Sequence, residues 1–303
     1  MRLETWVSVA VAVAVAVASA MQTFKTDVDA VRVDVLVTDR NRPIAGLSRD
    51  DFVLRDNGVV QRIDAVSMEE VPFSMLLALD TSSSLSGPAL KDLKQAAKAA
   101  VAALRVSDRA SVITFSDVLR RRAAWSPNGP ALVEAIDVTE ASGPTALFDA
   151  VFAALSARDP VPGRRGLIVL FTDGDDTSSW LPSRTALDRT SRTDAVVYVV
   201  TTTPRPAAPD RHLYYRSGLR LTPDADLVDR SDFLREVVER TGGDLLITDT
   251  TGLPATFERI VGEFRRRYLV SYTPSGVEGG WHTVDVTLRN RRGKVTARRG
   301  YER

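Results

Sequence analysis

The chain has 303 residues, no cysteine, two histidines, and 40 basic against 39 acidic side chains. That length exceeds one typical domain and leaves ample chain for a core. The lack of cysteine excludes disulfides, thiolate metal sites and a lipid-modified cysteine, and the balanced charge excludes a general attraction to nucleic acid or an anionic membrane.

Arg2 precedes an apolar stretch of Val-Ala repeats at residues 6–18, and Ala18-Ser19-Ala20 has the small-x-small pattern of a signal-peptidase site. Residues 1–20 are therefore read as a signal peptide and the chain as exported, to the periplasm or the cell exterior. A retained anchor is the alternative, but the stretch is shorter than the roughly 20 residues a spanning helix needs. No stable membrane span is expected after cleavage.

Residues 27–70 form an N-terminal flank. Val31, Val33, Val35 and Val37 alternate with polar residues, Asp56-Asn57-Gly58 signals a turn, and a strand runs through Ile63. Residues 73–79 are then almost wholly apolar, as in a strand buried on both faces of a parallel sheet, and end at Asp80. Ser86-Gly87-Pro88 is a helix start, followed by Leu90, Leu93, Ala97, Val101 and Leu104 at helical spacing.

The alternation continues with a strand at 110–115, a hairpin-like partner at 119–125, and helices at 130–138 and 145–157. Strands at 166–172 and 195–201, a helix at 231–241, a strand at 244–248 and a helix at 254–264 complete it. Such alternation predicts a doubly wound, mainly parallel, Rossmann-like α/β domain over residues 72–264. A C-terminal flank, 266–303, again reads as short strands with a turn at 290–293. Neither flank alone can bury a stable face, so the two are expected to pair as halves of a small β-sandwich into which the α/β domain is inserted.

Where the winding of such a sheet reverses, its first and fourth strands lie side by side and ligands bind beyond their carboxyl ends. Asp80 ends the first strand and Asp173 follows the fourth, with the hairpin partner counted third. Ser82 and Ser84 are expected to project alike from an extended turn, and Thr145 to open a helix alongside. An all-oxygen shell from Asp80, Ser82, Ser84, Thr145 and Asp173 suits a hard cation, with Mg²⁺ favoured and Mn²⁺ or Ca²⁺ possible.

These segments, D-T-S-S-S at 80–84, G-P-T at 143–145 and F-T-D-G-D at 171–175, resemble the three parts of the metal-ion-dependent adhesion site of von Willebrand factor A domains. The resemblance covers roughly residues 72–264 and implies that Ser82, Ser84 and Thr145 ligate the metal directly, while Asp80 and Asp173 hold it mainly through water. It also implies that the last helix, 254–264, can shift when an acidic ligand arrives. With its flanks, Y-L-V-S-Y-T-P and W-H-T-V-D-V-T-L among them, the chain is similar to the exported "VWFA-related" proteins found notably in Acidobacteria.

Enzyme activity is not expected. The chain has no G-x-x-x-x-G-K, H-E-x-x-H or G-x-S-x-G segment. The function expected is that of an exported metal-dependent protein-binding module, in which an Asp or Glu of a protein partner completes the metal's coordination. A cell-envelope scaffold with a purely structural metal, or a metal-dependent hydrolase, is the alternative.

Other residues carry weaker signals. The long connection at 202–230 leaves the metal face with His212, Tyr214 and Tyr215, as either a specificity rim or a solubilising loop. Asp149 follows Thr145 by one helical turn, either near the metal or as a helix N-terminal acid. Asp175 and Asp176 fit turn chemistry, and Ser116 and Asp117 fit hydrogen bonds near the site. The basic runs 265–267 and 289–299 fit a helix end and guarded sheet edges, or a surface for an anionic envelope polymer.

Overall fold

The structure, a computed structural model, describes residues 30–68, 71–202, 229–277 and 279–303. The leader and most of the 202–230 connection, including His212, Tyr214 and Tyr215, lie outside the described residues.

The N-terminal flank forms β1 (Val31–Asp39), β2 (Arg42–Pro43), β3 (Phe52–Asp56), β4 (Val59–Gln61) and β5 (Ile63–Met68). Two residues at positive φ, Asn57 at 48° and Gly58 at 80°, turn β3 into β4, the conformation whose twist matches that of the flanking strands. The α/β domain follows with β6 (Phe73–Asp80), α1 (Pro88–Ala102), β7 (Arg109–Phe115), β8 (Leu119–Pro127), α2 (Pro130–Asp137), α3 (Leu147–Ser156), β9 (Arg165–Phe171), α4 (Ser183–Arg189), β10 (Val196–Thr202), α5 (Arg230–Thr241), β11 (Asp244–Thr248) and α6 (Leu253–Arg265). The C-terminal flank adds β12 (Tyr268–Tyr272), β13 (Trp281–Leu288), β14 (Lys294–Thr296) and β15 (Gly300–Glu302).

The central sheet runs β11-β10-β9-β6-β7-β8, parallel except for the antiparallel β7–β8 edge. All eight residues of β6 are buried, and its alternation feeds two cores. Met75, Leu77 and Leu79 meet α1 and α6 on one face; Leu76 and Ala78 meet α3 and α5 on the other. Phe257, Ile260, Val261 and Phe264 recur on one stripe of α6, each fully buried side chain contributing roughly 1.5–3 kcal/mol. Ala96, Ala97 and Ala100 let α1 lie close against the same face.

Both flanks contribute to both sheets of the sandwich. One sheet runs β14-β1-β12-β5 and the other β15-β13-β3-β4. Val33, Val35 and Val37 of β1 and Val270 of β12 face Phe52, Leu54, Val284 and Val286 across a shared core. Within it, Asp56 accepts hydrogen bonds from Tyr272 and Tyr301 at 2.8 and 2.9 Å, and its other oxygen lies 2.7 Å from His282 Nδ1.

Buried polar groups join sandwich to domain. Arg165 at the start of β9 donates to Asp34 of β1 at 2.7 Å and to the Phe264 carbonyl, in the last turn of α6, at 3.1 Å. Arg267, fully buried, donates to the Tyr198 hydroxyl at 3.0 Å and to the carbonyls of Gly242 and Thr296. Gly242 ends α5 at φ 75°, and a Cβ there would collide with the backbone of Ala297 and Arg298. Only glycine permits that approach.

Candidate metal centre

Asp80 ends β6 with no exposed surface. Its Oδ1 accepts the Ser82 amide at 2.8 Å and its Oδ2 accepts the Thr172 hydroxyl at 2.7 Å. Burial pushes its carboxyl up to about 6 against the pull of those hydrogen bonds, and the nearby Asp173 charge adds to the rise.

The segment after β6 is a 3-10 turn, Ser83–Leu85, preceded by Ser82 in extended backbone, not the extended turn expected from alternate serines. The result for the hydroxyls is similar. Ser82 Oγ and Ser84 Oγ lie 3.0 Å apart, and Ser84 donates to Asp173 Oδ1 at 2.9 Å.

Thr145 belongs to the loop before α3, which begins at Leu147, two residues later than expected. The Thr145 amide donates to Thr177 Oγ1 at 2.9 Å, and its carbonyl accepts the amides of Thr177 and Ser178 at 2.8 and 3.0 Å. The hydroxyl stays free of those bonds and faces Gly174, where an added Cβ would stand 3.3 Å from Thr145 Oγ1. The start of α3 is capped from a distance. Asp176 Oδ1 accepts the Leu147 amide at 2.9 Å and Ser179 Oγ the Phe148 amide at 3.0 Å. Burial raises the Asp176 carboxyl, and hydrogen bonds from the Ser179 hydroxyl and the Phe148 and Leu147 amides partly offset the rise.

All three sequence segments therefore meet at the carboxyl edge of the sheet. Backbone bonds tie their loops directly: Ser83 N donates to the Gly143 carbonyl at 2.9 Å, and Ser142 N to the Thr81 carbonyl at 2.8 Å. Asp149 does not face the hydroxyl cluster with its carboxylate free. Its two oxygens accept the Trp180 and Leu181 amides at 3.0 and 2.9 Å, which pins the loop carrying Trp180 with that indole 92% exposed. Asp175 pairs with Arg230 at 3.5 Å. Ser116 donates to Asp117 at 3.0 Å, and its carbonyl accepts the Ala146 amide at 2.7 Å.

Residues absent from the sequence reading also shape the site. Thr172 holds Asp80; its place just before Asp173 was the available signal, since neighbouring residues leaving a strand point opposite ways. Ser179 holds the start of α3. Arg230, opening α5, donates to the Asp173 carbonyl at 2.9 Å, and nothing local in the sequence marks it.

The donor set fits a hard divalent cation. In an octahedral shell with bonds of about 2.1 Å, adjacent oxygens stand about 3.0 Å apart. That is the spacing of Ser82 Oγ from Ser84 Oγ and of Ser84 Oγ from Asp173 Oδ1. Among the described residues no three His, Cys, Asp or Glu side chains cluster as a metal site, so hydroxyls carry the arrangement. Neither nitrogen nor sulfur is offered, in contrast to the usual zinc sites.

Residues 75–175 match the family model of the von Willebrand factor type A domain. A von Willebrand factor type A protein from Catenulispora acidiphila is similar in structure, with a TM-score of 0.53 at 14% identity over 86% of this chain and 74% of that one. Proximal thread matrix protein 1 from the mussel byssus gives 0.52 at 14% identity over 69% of this chain and 51% of that one. Its form with a zinc-occupied MIDAS motif gives 0.51 at 14% identity over 68% and 48%. The chain thus spans about half of the mussel protein. No curated protein matches the chain.

Proposed function

Because the chain carries a von Willebrand factor type A domain, we propose that it is an exported protein-binding module whose partner presents an Asp or Glu to a divalent cation. Ser82, Ser84 and Thr145 would hold that cation directly, with Asp80 and Asp173 acting mainly through water. One observation carries this reading: two hydroxyls of the loop after β6 and a carboxylate of the loop after β9 stand 3.0 and 2.9 Å apart in succession at one sheet edge.

Hydroxyl donors neutralise little of a cation's charge, so the bound ion would supply an electrophilic position for an external carboxylate. Mg²⁺ suits the all-oxygen set, with Mn²⁺ or Ca²⁺ as alternatives. The protein's own side chains do the rest. Thr172 and the Ser82 amide orient Asp80, Arg230 holds the Asp173 backbone, and Asp149 fixes the loop that displays Trp180.

The direct backbone bonds between the three loops weigh against a metal needed only as a tie. Against hydrolysis, His282 is sealed within the sandwich beside Asp56, far along the chain from the site. The signal-peptide pattern of residues 1–20 supports the exported part of this reading. Among the described residues no helix is long and apolar enough to cross a membrane.

Capture of envelope proteins on immobilised protein tests the reading, comparing wild type in Mg²⁺, wild type in EDTA and Ser82→Ala in Mg²⁺. A partner held only by wild type with metal, all samples remaining folded, is the expected result. Equal capture in all three would move the binding surface elsewhere, and turnover of a substrate would replace adhesion with catalysis.

A further inference from the structure

Three segments distant in sequence meet at one end of the sandwich. Thr38 of β1 pairs with Lys294 of β14, and Asp39 with Arg42 across the β1–β2 turn. The Arg289 amide donates to the Asp51 carbonyl at 2.9 Å, and Arg291 Nε lies 3.0 Å from Asp51 Oδ1. Residues 38–43, 49–51 and 289–294 are thereby contiguous, and they contain seven basic side chains against three acidic ones.

Two of those cations are paired, Arg291 with Asp51 and, at 3.9 Å, Arg49 with Asp50. Arg40, Arg42, Arg289, Arg292 and Lys294 are exposed, and no carboxylate among the described residues pairs with them. Collecting five unpaired cations raises mutual repulsion in a chain whose net charge is only +1. Guarding of sheet edges accounts for Arg42 and Lys294, which lie on short edge strands. It does not account for Arg40, Arg289 and Arg292, which lie in connections.

We propose that this end of the sandwich is a second binding surface, for a flexible phosphate-bearing polymer. The absence of exposed large hydrophobic residues from these segments points to recognition by charge alone. The cations sit on two separate stretches of chain, Arg40 and Arg42 at the β1–β2 turn, and Arg289 and Arg292 between β13 and β14 with Lys294 opening β14. A flexible chain can follow these stretches from one to the next, whereas a planar surface meets only the outermost. The surface belongs to the module joined at the amino end of β6. The metal centre lies at the other, carboxyl end of that eight-residue strand, itself about 23 Å long by the rise of a strand, so the two can be occupied together.

Linear polyphosphate of about 100 units is the probe, its binding to the full chain read by fluorescence anisotropy with EDTA present to empty the metal centre. Five phosphate contacts should weaken binding about 100-fold between 50 and 200 mM salt. The variant R40N/R42S/R289S/R292S should lose at least 10-fold at 50 mM salt. R120S/R121S/R184S/R259S, which removes the same charge elsewhere, should lose no more than about 3-fold. Equal losses in both variants, or none in either, would overturn the proposal. So would binding to phosphatidylglycerol vesicles without binding to polyphosphate, which would assign the surface to a membrane.

Discussion

Asp80 sets the energetics of the site. Its carboxyl is raised from 3.8 to about 6, so without metal the folded protein holds the Asp80 proton more tightly than the unfolded chain does. The corresponding stability is present below about pH 4 and is lost as pH rises through about 6, up to about 3 kcal/mol in all. In EDTA, Asp80→Asn should therefore raise the melting temperature at pH 8 more than at pH 4.5, while metal binding measured by calorimetry disappears. Parallel melting curves for the two proteins across that range would show that burial of Asp80 costs nothing. Gly174→Ala should lower metal affinity about 10-fold, because its Cβ would press on Thr145 Oγ1 at 3.3 Å. Unchanged affinity in that variant would remove Thr145 from the shell. Trp180→Ser should weaken partner capture at least 10-fold, in line with the weight of exposed aromatic anchors at interfaces, and leave metal affinity intact. A partner indifferent to that change binds without the indole.

At the scale of elements, α6 is the helix that the resemblance implies can shift when an acidic ligand arrives. Here its C-terminal end is held by Arg165 on the Phe264 carbonyl and by Arg265, which meets Asp108 at 2.9 Å. Asp34→Ala would leave Arg165 buried without its carboxylate, and the expected cost is about 3–5 kcal/mol in urea unfolding. A loss under 1 kcal/mol would mean that the joint is wet or easily relaxed. The same elements show what sequence could reveal. The parallel strands were legible because β6 and β9 are continuous apolar runs with Asp80 and Asp173 at their ends. The short helix α4 was not, since it buries only Ser183 and Ala186 and so has no apolar period. The start of α3 was misplaced because its caps, Asp176 and Ser179, come from 29 and 31 residues further along. Motif spacing located the hydroxyls and carboxylates of the centre; Thr172 and Arg230 owe their roles to contacts that no local pattern encodes.

For the molecule as a whole, the two flanks are one folding unit interrupted by another. β1 pairs with β12 and β14, and β3 with β13, so neither half has its neighbours until both are present. A chain ending at residue 266 should keep a protease-resistant α/β domain while residues 30–68 are digested. Resistance of that segment would mean the N-terminal strands find partners elsewhere.

The insertion leaves the α/β domain hanging from two adjacent connections, since Met68 at the end of β5 pairs with Tyr268 at the start of β12. Tension applied at the metal face would reach the sandwich through both at once and draw β5 and β12 in the same direction. The β1–β12 ladder, five residue pairs long, would then be loaded lengthwise, in shear. Its hydrogen bonds would have to yield together instead of opening one after another from an end, an arrangement suited to a tether that bears force.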